Sequence, residues 1–508
     1  MAAITLVQQF LGLGQEHEDG EMKTRYVGAI AGSVILFVSA FAFNLMRRSK
    51  DFTTDQGKRI TEIPGDSRMS KFIRSRELSQ QGEDVAGTEP YLIRSGPYRE
   101  LVISQPDQVH EFYQHDSKRH TKPRNLNLGE QFGSLLGPCV GGEYGDQWRT
   151  IRNHFDPPFA FHSVALRVPR FTRGINDWLQ SKAPNVGVNE LDSKVDFRFL
   201  VFKLLSLHLY EDAFDDRSYW ILLELNDQYD GIITDILSSK YPDSKLFNLF
   251  RWGPHKRLRE FQVKWRDFHR LIIENARAGA WACPMEVIYR GVDPQKNFTE
   301  DAFLATMTEI LFANVNISAE VFHTIFTNLA SKPSIQTALR KEIQEWKSKP
   351  DFDLPKYLAK QDTLLNRVLM EGMRISPAFC PLLSPFGLNE RFSMPESTAD
   401  AKKIGQYNIP AGTPVVIDTR RLNNEAVTWG ASSDGFNPDR FLKLPSQNLR
   451  CGFMRFGTGA ASGRCLGKNV ADAVFKLTMI EVVERFRLES ASGSEEKGRK
   501  VDIRLVSL

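Results

Sequence analysis

The sequence is poor in cysteine, nearly balanced in charge and without low-complexity stretches. Its five cysteines among 508 residues form no Cys-x-x-Cys pair, which argues against a disulfide scaffold, a zinc ribbon and a thioredoxin-like site. Its 66 basic and 62 acidic residues leave a formal charge of +4, too small for a dedicated nucleic-acid-binding protein, so we expect no nucleic-acid partner. With 35 glycines and 25 prolines, the composition excludes a collagen-like or largely disordered chain. The scattered thiols suit a reducing compartment.

The longest uncharged run covers residues 26–46. As an α-helix, these 21 residues would span about 32 Å, enough for a hydrocarbon core of about 30 Å. A cleaved signal peptide would have a shorter apolar stretch and a small-residue cleavage site, and a buried core helix would show polar positions at helical spacing. The run therefore predicts a single transmembrane helix.

The basic residues beside this run indicate its orientation. Arg47, Arg48 and Lys50 follow the run, whereas the preceding flank mixes Lys23 and Arg25 with acidic residues. The side with more Lys and Arg is expected in the cytosol. The predicted segments are a short lumenal segment at 1–25, the anchor at 26–46, a linker at 47–65 and one cytosolic catalytic domain at 66–508.

The rest of the chain is rich in helical patterns and poor in strands. The strongest helical patterns cover Thr299–Ala330, Gln361–Ser376 and Val470–Phe486, the last with apolar residues at a 3.6-residue period. The strand-like stretches are Tyr91–Ile93, Glu100–Ile103 and Pro414–Ile417. The predicted fold class is therefore mainly α with a small β region, an α+β domain.

The most distinctive segment is the Gly/Ala-rich loop 456–467, which contains Cys465 and leads into the last of these helices. Small residues let the backbone approach closely, and the free N–H groups and dipole at a helix N-terminus lower the pKa of a thiol. Arg464 and Lys468 add positive charge. A thiolate in such a pocket can ligate a metal or act as a nucleophile. The simpler alternative is a cysteine that only packs before a helix.

In this loop the sequence resembles the cytochrome P450 family, the haem-thiolate monooxygenases, and three further motifs agree in the expected order. These motifs are Trp148-x-x-x-Arg152, Glu371-x-x-Arg374 and Phe436-x-Pro438-x-Arg440-Phe441. Each pattern alone recurs by chance, but an ordered set behind an apolar anchor does not. The resemblance covers roughly residues 64–508 and implies a cytochrome P450 fold preceded by a single transmembrane helix.

The resemblance implies how the cofactor, haem b, is held. Cys465 would be the axial thiolate ligand of its iron, and the backbone N–H of Gly467 would reach the sulfur. Trp148 and Arg152, four residues apart on one helical face, would bind one haem propionate. A second set of three residues would form a buried ion-pair network that holds the Cys465 loop, and it consists of Glu371, Arg374 and Arg440.

The Cys465 loop departs from the family pattern. Phe456 lies nine residues before Cys465 instead of seven, which indicates a two-residue insertion. Arg464 lies one residue before Cys465, where the usual basic residue is two before. We expect Phe456 to contact the cofactor and Arg464 to bind the second propionate.

The long core helix departs further, because Asn316 and Ile317 replace the usual acid and alcohol of the family. Ser318 follows, turned about 100° around the helix. Asn316 and Ser318 are our candidate catalytic residues: Ser318 or a substrate hydroxyl would deliver protons, and the Asn316 amide would alternatively hold a polar substrate. Two further readings stay open. The enzyme would dehydrogenate or couple its substrate, or it would be a non-oxygenating or peroxide-using relative such as an isomerase.

The resemblance also implies the substrate and its surroundings. An apolar, fairly large substrate is expected, and the loop is most similar to those of fungal enzymes of secondary metabolism. Substrate contacts would come from the loop 125–142, the helix face 312–318 and the segment 377–387. The apolar side chains of that last segment are Phe379, Leu382, Leu383 and Phe386.

As partners we expect NADPH–cytochrome P450 reductase as electron donor and the endoplasmic-reticulum membrane, with the protein a monomer. A basic face that docks an acidic reductase would consist of Arg450, Arg455, Arg464 and Lys468, unless these are ordinary surface charges. A haem protein that binds or senses without turnover is a third possible function.

Overall fold

The computed structural model describes most of the predicted catalytic domain. The described residues are 52–184, 187–238, 253–281, 283–313, 315–376, 392–425, 427–430, 433, 435–457, 463–491, 495–496 and 499–508. The predicted membrane anchor at 26–46 and the predicted substrate segment at 377–387 lie outside the described residues, so both stay predictions.

Helices make up most of the domain, as the sequence predicts. In chain order they are α1 Ser70–Ile73, α2 Ser75–Ala86, α3 Pro106–Tyr113, α4 Glu130–Leu136, α5 Gly145–Phe159, α6 Phe161–Lys182, α7 Ser193–Tyr210, α8 Asp216–Ser238, α9 Pro254–Ala278, α10 Pro284–Tyr289, α11 Glu300–Thr308, α12 Val315–Ser331, α13 Pro333–Lys347, α14 Leu354–Ala359, α15 Leu364–Ile375, α16 Thr419–Asn424, α17 Arg440–Lys443, α18 Ser446–Gly452 and α19 Lys468–Arg485. Short 3₁₀-helices lie at Ser117–Arg119, Arg124–Asn127, Glu211–Ala213 and Pro294–Lys296.

The strands form small sheets. They are β1 Thr53–Thr54, β2 Tyr91–Ser95, β3 Tyr98–Ile103, β4 Val188–Leu191, β5 Glu396–Ser397, β6 Lys402–Ile404, β7 Tyr407–Ile409, β8 Pro414–Ile417, β9 Phe486–Ser490, β10 Glu495–Glu496, β11 Arg499–Lys500 and β12 Ile503–Ser507. Their orders are β2-β3-β8-β5, β1-β7-β6, β4-β12-β9 and β10-β11. The three predicted strand stretches fall in β2, β3 and β8, which are neighbours in one sheet, with β3 and β8 parallel. The prediction of a small β region is thus confirmed.

The described end of the predicted linker is folded. β1 pairs antiparallel with β7, and the Ile63 N–H donates to the Leu92 carbonyl oxygen at 2.8 Å. Ile60 and Ile63 are both buried. Of the predicted linker at 47–65, residues 53–65 therefore belong to the same compact unit as the helices and sheets.

The longest predicted helix is present, but it is not a regular α-helix throughout. α11 begins after Thr299, whose hydroxyl accepts a hydrogen bond from the Ala302 N–H at 3.1 Å. A π-helical turn at Glu309–Ala313 separates α11 from α12. The stretch Glu300–Ser331 is apolar and long enough to cross a membrane, but 75% of its most apolar part is buried inside the domain, as expected of a central core helix. A π-helical turn contains one more residue than an α-helical turn. The side chains of α12 are therefore rotated about the helix axis from the positions that a regular helix predicts.

The helix after Cys465 also differs from its prediction. It runs from Lys468 to Arg485, and Phe486, which the sequence pattern included, begins β9 instead. Every residue from Ala473 to Val483 is buried, so α19 is enclosed on all sides rather than on one apolar face. Its N-terminus therefore has a fixed position, and the Cys465 loop is attached to it.

A buried histidine lies on α7, which packs along α12. The His208 ring contacts Phe159 and Phe171, with ring centroids 4.9 and 5.8 Å apart. Neither ring nitrogen has a hydrogen-bond partner within the described part of the chain. Burial, with a smaller contribution from Arg167, lowers the pKa of His208 to about 3. His208 is thus a neutral histidine in an apolar site.

Replacing His208 with leucine should stabilise the protein and make it less sensitive to acid. Buried polar groups without partners cost roughly 1–3 kcal/mol each, a cost that leucine avoids. Below about pH 6.5 the unfolded chain protonates this histidine, whereas the folded protein does not until about pH 3, so stability falls as the pH drops through that window. Thermal melts near neutral pH and at about pH 5 should give a higher Tm for His208→Leu and a smaller loss on acidification. Equal shifts in the exposed control His110→Leu would contradict this account.

Candidate functional site

A central cavity of about 290 Å³ collects residues from distant parts of the chain. Its walls come from α5, α7, α12, α15 and α19 and from the Cys465 loop. Seven of the sequence-predicted site residues line it, and these are Trp148, Arg152, Ser318, Phe456, Arg464, Cys465 and Gly467. The predicted loop 125–142 contributes Val140 and Gly141 to the same cavity.

The Cys465 loop is held by close backbone contacts. The Cys465 N–H donates to the Phe456 carbonyl oxygen at 3.1 Å, which brings both residues to one wall of the cavity. Gly457 has φ +78°, and a Cβ built on it would lie 1.8 Å from the Gly463 carbonyl oxygen. Only glycine fits at this position, because the backbone of Gly463 occupies the space of any side chain.

The Cys465 sulfur faces the cavity, next to the N-terminus of α19. Burial raises the pKa of the Cys465 thiol, whereas hydrogen bonds from the backbone N–H groups of Gly467 and Lys468 and the charge of Arg152 lower it. The predicted contact from Gly467 is confirmed. The N–H groups at the start of α19 thus lower the pKa of the thiol, as the sequence predicts, and burial opposes them. A coordinated metal would deprotonate the thiol outright.

Trp148 and Arg152 share one face of α5, as their spacing predicts. The Arg152 guanidinium carbon lies 5.6 Å from the centre of the Trp148 ring. Its Nε lies 2.7 Å from an Asp156 carboxylate oxygen, and Nη1 donates to the Arg464 carbonyl oxygen at 3.3 Å. Arg149 instead pairs with Asp146 at the surface. Arg152 therefore presents a positive charge at the cavity wall, near the Cys465 loop.

Arg455 belongs to the cavity and not to the docking surface that the sequence predicts. It lines the cavity, and its guanidinium lies 5.6 Å from the centre of the Phe456 ring. Its Nη1 is buried without a hydrogen-bond partner among the described residues, and burial lowers the pKa of Arg455. An unpaired buried donor of this kind fits a negatively charged group in the cavity. The sequence indicates this role only through the position of Arg455 directly before Phe456, which also lines the cavity.

The donor set of the cavity fits a haem. In the described ranges no cluster of three or more His, Cys, Asp and Glu is placed to hold a bare metal ion, so Cys465 suits a metal whose other ligands arrive with it. Arg152, Arg455 and Arg464 supply positive charges for the two carboxylates of such a group. Apolar side chains of α7 and α19 complete the walls.

The predicted ion-pair network is formed. Arg374 donates to both oxygens of Glu371 at 2.8 and 2.9 Å, and the Arg440 Nε lies 3.2 Å from each of them. The Glu371 and Arg374 side chains are fully buried and Arg440 is 8% exposed. Paired in this way, the buried charges fix the geometry of the segment around Arg440.

A residue absent from the sequence prediction, Asn423, connects this network to the Cys465 loop. Arg374 Nη1 donates to the Asn424 side-chain oxygen at 3.0 Å, which places α16 against α15. The Asn423 side chain then binds the backbone of Met454 twice, donating to its carbonyl oxygen at 2.8 Å and accepting from its N–H at 2.9 Å. Met454 lies two residues before Phe456, so α16 positions the start of the loop. Nothing in the spacing of Asn423 marks it as such.

The core helix places only one of the two candidate catalytic residues at the cavity. Ile317 and Ser318 line the wall. Asn316 does not, because its side-chain oxygen accepts a hydrogen bond from the Arg198 Nε at 2.7 Å, and Arg198 also binds Asp230. The expectation that the Asn316 amide holds a polar substrate is therefore corrected: through Arg198 this side chain joins α12 to α7 and α8.

Known proteins are similar to this chain over most of its length. Residues 87–504 match the sequence profile described as Cytochrome P450. The chain is 86% identical over 508 residues, 100% of both chains, to cytochrome P450 monooxygenase opdB of Penicillium oxalicum. It is 41% identical over 490 residues to cytochrome P450 monooxygenase apdB of Emericella nidulans, covering 93% of this chain and 94% of that one.

A solved structure of a zebrafish cytochrome P450 with progesterone has the same fold. The TM-score is 0.64 at 18% sequence identity, and the match covers 85% of this chain and 99% of that one. At this identity the likeness concerns the fold alone.

Proposed function

The chain belongs to the cytochrome P450 family, whose members are haem-thiolate monooxygenases, and from this premise we propose that Cys465 would hold the haem iron as its thiolate ligand. The observation that carries the proposal is the position of the Cys465 sulfur. It lies at a cavity wall and accepts hydrogen bonds from backbone N–H groups at the start of α19. Three arginines line the same cavity. When bound, haem would supply the oxygen chemistry. The protein would supply the thiolate ligand, the arginines that pair with the haem carboxylates and apolar walls that exclude water.

Each remaining site residue has a part in holding that group. Arg152 and Trp148 would bind one carboxylate of the haem. Contacts with the indole ring and with Asp156 orient Arg152. Arg455 and Arg464 are the candidates for the second, and the unpaired Nη1 favours Arg455. Glu371 acts at a distance, through the network that positions the Cys465 loop.

The substrate is an apolar small molecule of fungal secondary metabolism. Apolar residues of α7 and α12 line the cavity together with Cys465, and they are Val201, Leu204, Leu205, Ile317 and Val321. Such walls exclude water and bind by burial of apolar surface. The fungal origin of the relatives named above supports the assignment to this type of metabolism.

NADPH supplies the electrons through cytochrome P450 reductase. The enzyme is a monomer, and residues 26–46 anchor it in the endoplasmic-reticulum membrane. The exposed Arg450 and Lys468 are the candidate docking charges, and Arg455 is excluded from them because it lines the cavity. The alternative function, a reductase-independent isomerase or peroxide-using enzyme, is favoured by Ile317 and Asn316 in place of the usual alcohol and acid.

The two functions differ in what drives turnover. Haem-loaded enzyme should oxidise substrate-library compounds only when NADPH, reductase and oxygen are all present. Substrate conversion without NADPH, or with hydrogen peroxide alone at an equal rate, would favour the alternative. Arg450→Glu with Lys468→Glu should slow the reductase-driven reaction and leave chemical reduction by dithionite unchanged.

Replacing Ser318 with alanine should uncouple NADPH consumption from product formation. Ser318 is the hydroxyl of α12 that lines the cavity beside Ile317, and general acid–base groups contribute roughly 10²–10⁴-fold to rate. We expect product per NADPH to fall about tenfold or more while the haem spectrum and substrate affinity stay unchanged. Thr327→Ala is the control, because its hydroxyl donates to the His323 carbonyl oxygen instead of facing the cavity. Unchanged coupling in Ser318→Ala would assign proton delivery to the substrate itself.

A further inference from the structure

One carboxylate in this apolar cavity has no part in the chemistry described so far. Glu309 lines the cavity at the start of the π-helical turn of the core helix, while its neighbours Thr308 and Ile310 are buried. A charged group in such a place is costly unless it has partners, and π-turns occur frequently at functional sites.

The partners of Glu309 come from the loop 137–142. The Gly141 N–H donates to Glu309 Oε2 at 2.8 Å, and the Val140 N–H donates to Thr306 one turn earlier at 3.2 Å. The Cys139 thiol also forms a hydrogen bond with the Glu309 carboxylate. A Cβ on Gly141 would lie 2.0 Å from Glu309 Oε1, so glycine permits this close approach. The carboxylate is therefore held in one orientation.

The charges beside Glu309 determine what it can bind. Lys122 is buried, donates to the Gly141 carbonyl oxygen at 2.5 Å, and interacts electrostatically with both Glu309 and Glu396. Lys122 and Glu396 also line the cavity. Two carboxylates around one ammonium group make this end of the cavity acidic, which favours hydrogen-bond donors over anions.

A carboxylate accepts about four hydrogen bonds, and Glu309 is accessible from the cavity. We propose that Glu309 is a specificity-determining residue that accepts a hydrogen bond from an N–H or O–H group of the substrate. The substrate is then an apolar molecule with a donor at one end, such as an amide, a hydroxyl or an ammonium group. This inference rests on the proposed function, since it assumes that the cavity holds haem and substrate together.

The test uses haem-loaded protein and 1-alkylimidazoles whose tails end in methyl, hydroxyl or ammonium, over a series of tail lengths. The imidazole binds the iron and shifts the absorption spectrum, so each Kd is read optically without turnover. At the best length, a donor-tailed probe should bind about tenfold tighter than its methyl counterpart, or about 1.4 kcal/mol. Glu309→Leu should abolish this preference. Glu309→Gln should keep a preference for hydroxyl and lose one for ammonium, which distinguishes a neutral donor from a cation.

The matched control is Glu320→Gln, which changes a carboxylate of α12 that pairs with Lys194 outside the cavity and should leave every Kd unchanged. Should Glu309→Leu fail to fold, Gly141→Ala displaces the carboxylate and should also reduce the preference. The inference is overturned if no tail length shows a donor preference, or if the variants lower Tm but keep the preference, as a residue that only anchors the loop would. Absence of any spectral shift with every probe would instead reject the proposed haem site.

Discussion

Replacing Cys465 with serine should abolish the red-shifted carbon monoxide band of the dithionite-reduced protein and all monooxygenase activity. Cys465 would hold the haem iron through its sulfur at the cavity wall, and a serine hydroxyl is a far weaker donor than a thiolate. We expect turnover to fall by at least about 10³-fold, because the electron donation of the thiolate is lost altogether.

The control for this change is Cys451→Ser, on α18. Cys451 is half-buried and does not line the cavity, so its replacement should preserve both the band and the activity. A thiolate-type band that persists in Cys465→Ser, in protein with full haem content, would show that another cysteine ligates the iron. The proposed mechanism would then fail together with the assignment.

Replacing Gly457 with alanine should prevent the Cys465 loop from closing and yield protein that does not retain haem. The added Cβ would meet the Gly463 carbonyl oxygen at 1.8 Å, and φ +78° is itself unfavourable for alanine by roughly 1–2 kcal/mol. This contact cannot relax by rotation of a side chain, because a Cβ has no rotatable bond of its own and the Gly463 oxygen belongs to the backbone. We expect a total cost above about 4 kcal/mol, measured as loss of haem content and a lower Tm.

Gly231→Ala is the comparison for Gly457→Ala. Gly231 lies within α8, and a Cβ there meets nothing within 4 Å, so alanine should be neutral or slightly stabilising through its helix propensity. Full haem retention by Gly457→Ala would mean that the loop tolerates another backbone path. The close approach of Gly457 to Gly463 would then have no role in presenting Cys465.

Groups whose partners are near in sequence were predictable. Trp148 and Arg152 lie four residues apart on α5, and Glu371 and Arg374 lie three apart on α15, so helix geometry alone places each pair on one face. The strands were also predictable although they are short, since β2, β3 and β8 contain the predicted stretches. The ends of α19 and the π-turn in the core helix were missed, because a local pattern does not report strand pairing or an extra residue in a turn.

Partners that are distant in sequence and lie outside the family motifs were not predictable. Asn316 is a candidate for the cavity by its position in the motif, yet Arg198, 118 residues away, turns it elsewhere. Arg455 resembles a surface charge in the sequence, and only the packing of the Cys465 loop brings it to the cavity. The same holds for Asn423 at the Met454 backbone and for Glu309 at Gly141.

The sequence by itself determined the fold class, the family and the metal-binding cysteine that we propose, because these depend on helical periodicity and on short motifs whose spacing is a local property of the chain. The tertiary structure alone decided which charges face the cavity, which asparagine positions the loop and how acidic the end of the cavity beside Glu309 is. The physical reason is that burial and electrostatic interaction depend on distances through space. Those distances are set only when α5, α7, α12 and α19 pack together.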